Sequence, residues 1–179
     1  MTECMVLAES DAIYLDASAL PKIDLESDGG HGIRLLLLVG RIPLFCSVVA
    51  LGEFFAVAGR RKTQAKIGVS GYLYTVRDFL IDIEMNKLRY VEPVADRRAF
   101  TVLCDDLVSR HSALGGADIW HIMAAMNLQR RYKRVTMLTF DQRLAAAAAA
   151  EGMHSVYGQP IQAEALVAAL TSCGKWGAP

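Results

Sequence analysis

Short apolar runs rich in β-branched residues alternate along the chain with longer stretches whose apolar positions recur every three or four residues. That alternation is the pattern of a parallel sheet covered by helices. Strands are predicted over Ile13 to Ala17, Pro43 to Cys46, Leu88 to Val91, Val135 to Thr139 and Met153 to Tyr157. Helical spacing runs over about Ile33 to Gly40, behind the turn Ser27 to Gly32, and then from an N-cap at Ser47 to near Gly59. It continues from Thr63 to Lys87 with a break around Gly68 to Gly71, then over Asp96 to Arg110, Ala117 to Tyr132 and the alanine-rich Gln142 to Ala150, closed by Gly152. A further helix over Ala163 to Thr171 and a tail of small residues follow Pro160. The expected fold class is α/β, a mostly parallel twisted sheet of about five strands flanked by helices. No linker or internal repeat divides residues 1–179, so a single domain is expected.

Four acidic residues interrupt the apolar pattern: Asp16 in IYLDASAL, Glu53 in SVVALGEFFAV, Asp118 in LGGADIWHIMAAM and Asp141 in VTMLTFDQRL. An unpaired carboxylate in a core must find a partner or take up a proton. Each acid also has an ordinary reading. Asp16 closes the first predicted strand, where ligands collect in an open parallel sheet, and it equally suits the start of a turn. Ser18 adds a hydroxyl two residues on. The helix around Glu53 is apolar nearly all round, with Val49, Gly52, Ala56 and Val57 on the same face and no further charge before Arg60. The plain alternative is a Glu at the wet edge of a buried helix. Asp118 follows two glycines at a helix start, where the dipole favours a negative charge by about 0.3–1 kcal/mol. The stripe Ile119, Ile122, Met123 and Met126 leaves Asp118 and His121 to one side. Asp141 suits the N-cap of the helix that follows, with Thr139 supporting the turn. As a set, two acids at strand ends and two near helix starts fall where a doubly wound sheet gathers its segments. Carboxylates without a convergent Cys or His set suit a hard cation, Mg2+ or Mn2+, and such ions bind phosphate.

Composition narrows the field. Of 179 residues, 53% are hydrophobic and 21% charged, which suffices for a substantial core. The net charge is zero, so a polyanion would be held by local patches or by metal ions and not by a global field. Basic clusters stand at Arg60, Arg61 and Lys62, at Arg97 and Arg98, and at Arg130, Arg131, Lys133 and Arg134. The last lies about 18 Å or more from Asp118, toward the opposite edge of the sheet, whereas Arg60 is two turns, about 10 Å, beyond Glu53. Arg60, backed by Arg61 and Lys62, is therefore the candidate phosphate contact. The cysteines Cys4, Cys46, Cys104 and Cys173 form no C-x-x-C pair, against a structural zinc site or disulfide framework. MTECMVLAESD lacks the pattern of a signal peptide, and the apolar run Ile33 to Val39 is cut by Arg34 and Arg41, well short of the roughly 18 residues a span needs. A cytoplasmic protein without membrane contact is expected.

The segments IYLDASAL (Asp16, Ser18), SVVALGEFF (Glu53), GGADIWHIMAAM (Asp118, with His121 in an Asp-x-x-His arrangement) and MLTFDQRLAAAAAAEGM (Thr139, Asp141) stand in this order over about Ile13 to Tyr157. In these residues the chain resembles the PIN-domain ribonucleases, most closely the VapC-like toxins of toxin-antitoxin pairs. The resemblance implies a PIN-like fold with Asp16, Glu53, Asp118 and Asp141 as the catalytic acids around one or two Mg2+ or Mn2+ ions that cleave RNA. Ser18 and Thr139 would orient the carboxylates or a water. Arg60, Arg61 and Lys62 would contact the RNA, and a cognate antitoxin would be a partner. A homodimer is expected from the family's twofold pairing and from the apolar surface of Ile33 to Gly40 and Gly68 to Met85, with Tyr72, Leu73, Tyr74, Phe79 and Leu80. The segment Thr63 to Val91 and the tail after Pro160 exceed what a minimal toxin of this type needs. Two alternatives stand beside this. A haloacid-dehalogenase-type phosphatase wants a second Asp two residues after the first, where this chain has Ser18. A PIN-like module that binds RNA or protein without catalysis would be favoured by loss of one of the four acids, and all four are present.

Overall fold

A computed structural model describes residues 11–21, 30–40, 42–93 and 96–157. Its strands β1 (Asp11–Leu15), β2 (Leu44–Cys46), β3 (Leu88–Tyr90), β4 (Arg134–Thr139) and β5 (His154–Tyr157) form one parallel sheet in the order β3-β2-β1-β4-β5. Six helices stand among the described residues: α1 (Gly30–Val39), α2 (Val48–Thr63), α3 (Val69–Glu84), α4 (Arg97–Arg110), α5 (Gly116–Gln129) and α6 (Gln142–Ala150). The expected fold class, α/β with a five-stranded parallel sheet flanked by helices, holds. The predicted helix over Ala163 to Thr171 lies outside the described residues. So does the turn Ser27 to Gly32 as far as residue 29, its last three residues already being helical.

Alternation along β1 sorts the core into two layers, because successive strand side chains point to opposite faces. Ala12 and Tyr14 pack with Leu107 of α4, Ile119, Ile122 and Leu128 of α5, and Leu144 and Ala148 of α6. Ile13 and Leu15 pack with Ile33 and Leu37 of α1, Ala50 and Phe54 of α2, and Phe79 of α3. The Phe54 and Phe79 rings stack at 4.0 Å, fixing α2 against α3. Phe54 is fully buried. Phe54→Ala should therefore cost about 3–5 kcal/mol, the range for emptying a buried aromatic site; urea titration followed by circular dichroism reads it, and a loss under about 1 kcal/mol would mean that the site collapses around the void. One charge in this layer is buried as well. Asp82 on α3 pairs with Arg34 of α1 at 2.9 Å and with Lys87 before β3 at 3.2 Å, so removing either partner leaves a costly half-compensated carboxylate.

Helix α2 departs from expectation by running past Gly59 to Thr63. One glycine costs a helix only about 1 kcal/mol, less than the burial of Phe54 and Ala58 returns. Arg60, Arg61 and Lys62 thereby fall in its last turn, where cations oppose the negative end of the dipole. Helix α5 ends at Gln129, short of Tyr132. Gly152 closes α6 with φ +77°, a conformation that glycine adopts without strain. Cys46 and Cys104 are free thiols. Burial, with Glu92 nearby, pushes the Cys46 thiol up to about 12, which leaves it unreactive. Among the described residues no helix is long and apolar enough to cross a membrane. Val69, Leu73, Tyr74, Leu80, Ile81 and Met85 leave an exposed apolar flank on and just after α3, while Phe79 faces the core.

Candidate active site

Strand order reverses between β1 and β4, and in an open parallel sheet ligand sites form beside such a reversal, at the carboxyl ends of the strands. Leu15 pairs with Leu138, so Asp16 and Thr139 come next on adjoining strands. The Asp16 N–H donates to the Leu138 carbonyl at 3.3 Å. Asp16 Oδ1 accepts the Ser18 hydroxyl at 2.8 Å and the Ala19 N–H at 3.2 Å. Ser18 Oγ in turn accepts the Phe140 N–H at 2.7 Å and lies 3.5 Å from Thr139 Oγ1, which accepts the Asp141 N–H at 3.0 Å. Two hydroxyls thus tie the ends of β1 and β4 together around one carboxyl. Asp16 is only 4% exposed. Burial raises its pKa above the usual carboxyl range, against the pull of His121, Ser18 and Thr139. None of the ion pairs among the described residues involves it.

Glu53 comes from α2, which Ser47 caps by accepting the Ala50 N–H. Its Oε2 lies 3.2 Å from Nε2 of His121 on α5. The hydrogen bond to His121 is the main reason its carboxyl is held below the ordinary value; partial burial works the other way, and Arg60 adds to the lowering. The two-turn spacing from Glu53 to Arg60 therefore does bring that guanidinium within electrostatic reach. His121 is fully enclosed, with Nδ1 2.7 Å from the Tyr14 hydroxyl and 3.4 Å from Ser47 Oγ. Asp118 opens α5, where its Oδ2 accepts the Gly115 N–H at 2.9 Å. Asp141 caps α6 by accepting the N–H groups of Arg143, at 2.7 Å, and Leu144, at 3.3 Å. The Arg143 guanidinium adds an ion pair at 3.2 Å. Burial would raise the Asp141 carboxyl, but these bonds outweigh it and hold the group below its ordinary value. Arg143 also feels the charge of Asp118, so it sits under the influence of both acids.

All four sequence-derived acids belong to the segments that meet at this edge, but they do not converge on a single point. Among the described residues no group of three or more His, Cys, Asp and Glu side chains is placed to hold a metal ion. The apolar surroundings expected for every one of them hold only for Asp16. The Glu53 side chain is 44% exposed and that of Asp141 31%, while Asp118 is half-buried. The apolar neighbours of Glu53 in sequence, Phe54 and Ala58, enter the core from other sides of the helix. His121, expected beside the packing stripe, lies inside it, because its two ring nitrogens are satisfied by Tyr14 and Glu53. Ser18 and Thr139 do take the supporting positions around Asp16. Lys62 turns from the site to the Tyr72 ring, 5.1 Å away.

By donor type alone these are the oxygen ligands a hard divalent ion takes: Asp16 is a buried carboxyl outside every ion pair among the described residues, and the hydrogen bonds of Glu53 and Asp118 given above use one oxygen each. Asp141 would have to exchange Arg143 for the ion. Arg143→Ala should accordingly tighten Mn2+ binding about 2- to 5-fold, the size of losing one exposed ion pair; calorimetric titration reads this, and equal or weaker affinity would show that Arg143 does not compete. Tyr14 and Arg143 went unread in the sequence, and Ser47 was read as a helix cap but not as a neighbour of His121. Tyr14 was the accessible one, since a period of two puts it on the same side of β1 as Asp16.

No protein-family model matches the chain, and no curated protein matches it. Its fold is shared with a solved structure, described as the crystal structure of PAE2754 from Pyrobaculum aerophilum, with a TM-score of 0.60 at 14% sequence identity over 92% of this chain and 98% of that one. At that identity the likeness concerns the fold alone.

Proposed function

We propose that the chain is a Mg2+- or Mn2+-dependent endoribonuclease of the PIN-like type, acting as the toxin of a toxin-antitoxin pair. One observation carries the reading: a buried carboxyl, Asp16, takes part in none of the ion pairs among the described residues and stands where strand order reverses, and Glu53, Asp118 and Asp141 belong to the segments around it. Asp16 would be the central ligand, oriented by Ser18 and by Thr139. Glu53, Asp118 and Asp141 would complete an oxygen donor set. A divalent ion held there supplies activation of water and neutralisation of charge on the phosphodiester. Arg60, two turns along α2 from Glu53, would hold an RNA phosphate, with Arg61 extending the contact. Hydrolysis needs no covalent intermediate with the protein. The test is a mixed RNA pool incubated with Mn2+, followed by excess EDTA: cleavage should require the metal, and full activity in EDTA would remove the reading.

A second reading is favoured by two contacts, Arg143 on Asp141 and His121 on Glu53, which satisfy two of the acids without any metal. It is a PIN-like module that binds RNA without cutting it. RNA retained on the protein but left intact at saturating Mn2+ would select it. The exposed apolar flank of α3 supports the homodimer and the antitoxin as partners. Light scattering should give twice the 19.5 kDa chain mass; a strictly monomeric mass would remove the dimer and weaken the toxin reading with it.

A further inference from the structure

Two buried polar side chains stand behind the candidate site, and the proposed chemistry uses neither. Tyr14 on β1 is 0% exposed and His121 on α5 is 2% exposed, and enclosing polar groups this fully is costly unless each is paired. Their pairing is directional. A neutral imidazole has one donor nitrogen and one acceptor. The Tyr14 hydroxyl, a donor as well as an acceptor, is enclosed beside that ring. When it donates across the 2.7 Å to Nδ1, that nitrogen is the acceptor. The ring proton then sits on Nε2, which faces Glu53 Oε2 at 3.2 Å. An imidazolium would also donate from Nε2, so only the neutral form protonated at Nδ1 would break the Glu53 contact.

We infer that His121 is a positioning residue for Glu53, held by Tyr14 in the form that donates from Nε2, so that one carboxylate oxygen is fixed and the other is presented to a cation. The inference rests on the metal-site reading above. It joins three elements, β1, α5 and α2, into a single support for the one candidate ligand on a helix face that is otherwise open to solvent. Support of this kind behind a ligand is worth about 10- to 100-fold in metal affinity.

The test has two arms. Nitrogen-15 chemical shifts of the His121 ring in metal-free protein at pH 8 should show the proton on Nε2, and Tyr14→Phe should introduce the form protonated at Nδ1. A parent protein protonated at Nδ1, or a Tyr14→Phe spectrum identical to it, would overturn the inference. Calorimetric titration with Mn2+ alone forms the second arm. His121→Ala should bind about 10-fold more weakly, whereas His121→Gln, whose amide can still donate to Glu53, should stay within about 3-fold of the parent. Equal affinities for all three, or a Gln variant as weak as Ala, would overturn it; should the Ala variant not fold, the Gln variant and Tyr14→Phe still decide. Neither arm uses RNA. Loss of the ribonuclease reading, seen as a parent protein that binds Mn2+ and cuts no RNA, is thereby distinguished from loss of the positioning role.

Discussion

Asp16→Asn should lower RNA cleavage by about 10³-fold or more, the scale of removing one preorganised charge from an active site, and should at the same time raise the melting temperature of the metal-free protein at neutral pH. The second effect follows from burial. Because desolvation raises the Asp16 pKa, the folded chain binds this proton more tightly than the unfolded chain does. Its contribution to stability is complete below the unfolded value and is lost as pH rises through the raised folded value. Above the raised folded value the protein holds the charge at a cost. Asparagine keeps an oxygen for Ser18 and the Ala19 N–H and offers its amide to Thr139, without the charge. A gain of about 1 kcal/mol would appear as roughly 2–4 °C in a chain of this size, shrinking as pH falls toward the ordinary carboxyl value. Melting curves from pH 5 to 8 beside cleavage assays read both effects. A variant that cuts RNA normally would reduce Asp16 to a turn residue.

Saturating Mn2+ should raise the melting temperature of the parent protein by about 5–11 °C, which corresponds to about 2.7 kcal/mol at a concentration a hundred times the dissociation constant. The size of the shift reflects what the ion relieves. On the metal-site reading the ion would compensate the carboxyl at Asp16 and draw in acids that otherwise rest on a histidine, a backbone N–H and an arginine. Asp16→Asn should abolish most of the shift and Arg143→Ala should not. Scanning fluorimetry across a Mn2+ series decides it: a shift shared equally by parent and Asp16→Asn would place the bound ion somewhere else.

Most of the fold was legible because its signals are local. Ser47 as an N-cap, Gly152 as a helix stop and the short apolar runs of β1 and β4 each follow from a few neighbouring residues, and the helix over residues 142–150 falls where the alanine run placed it. The end of α2 was misjudged since the stacking of Phe54 on Phe79, a contact across 25 positions of sequence, outweighs the local cost of Gly59. At the site, Asp16, Ser18 and Thr139 were legible as strand-end residues, and the reversal of strand order brings them together. The environment of Glu53 was not. Apolar neighbours in sequence do not share a helical residue's own direction, and its closest partner, His121, lies 68 positions away. Arg143 was hidden in the same way, as an ordinary first-turn arginine that gains meaning only once Asp118 is brought near.

Anomalous scattering from Mn2+-soaked crystals tests most directly whether the acids at the strand-order reversal form a metal centre. The expected result is a peak in contact with Asp16, with at least two of Glu53, Asp118 and Asp141 at about 2.0–2.6 Å and Arg143 released from Asp141. A peak elsewhere, or no peak beside Asp16 at saturating Mn2+ with Arg143 still on Asp141, would contradict it.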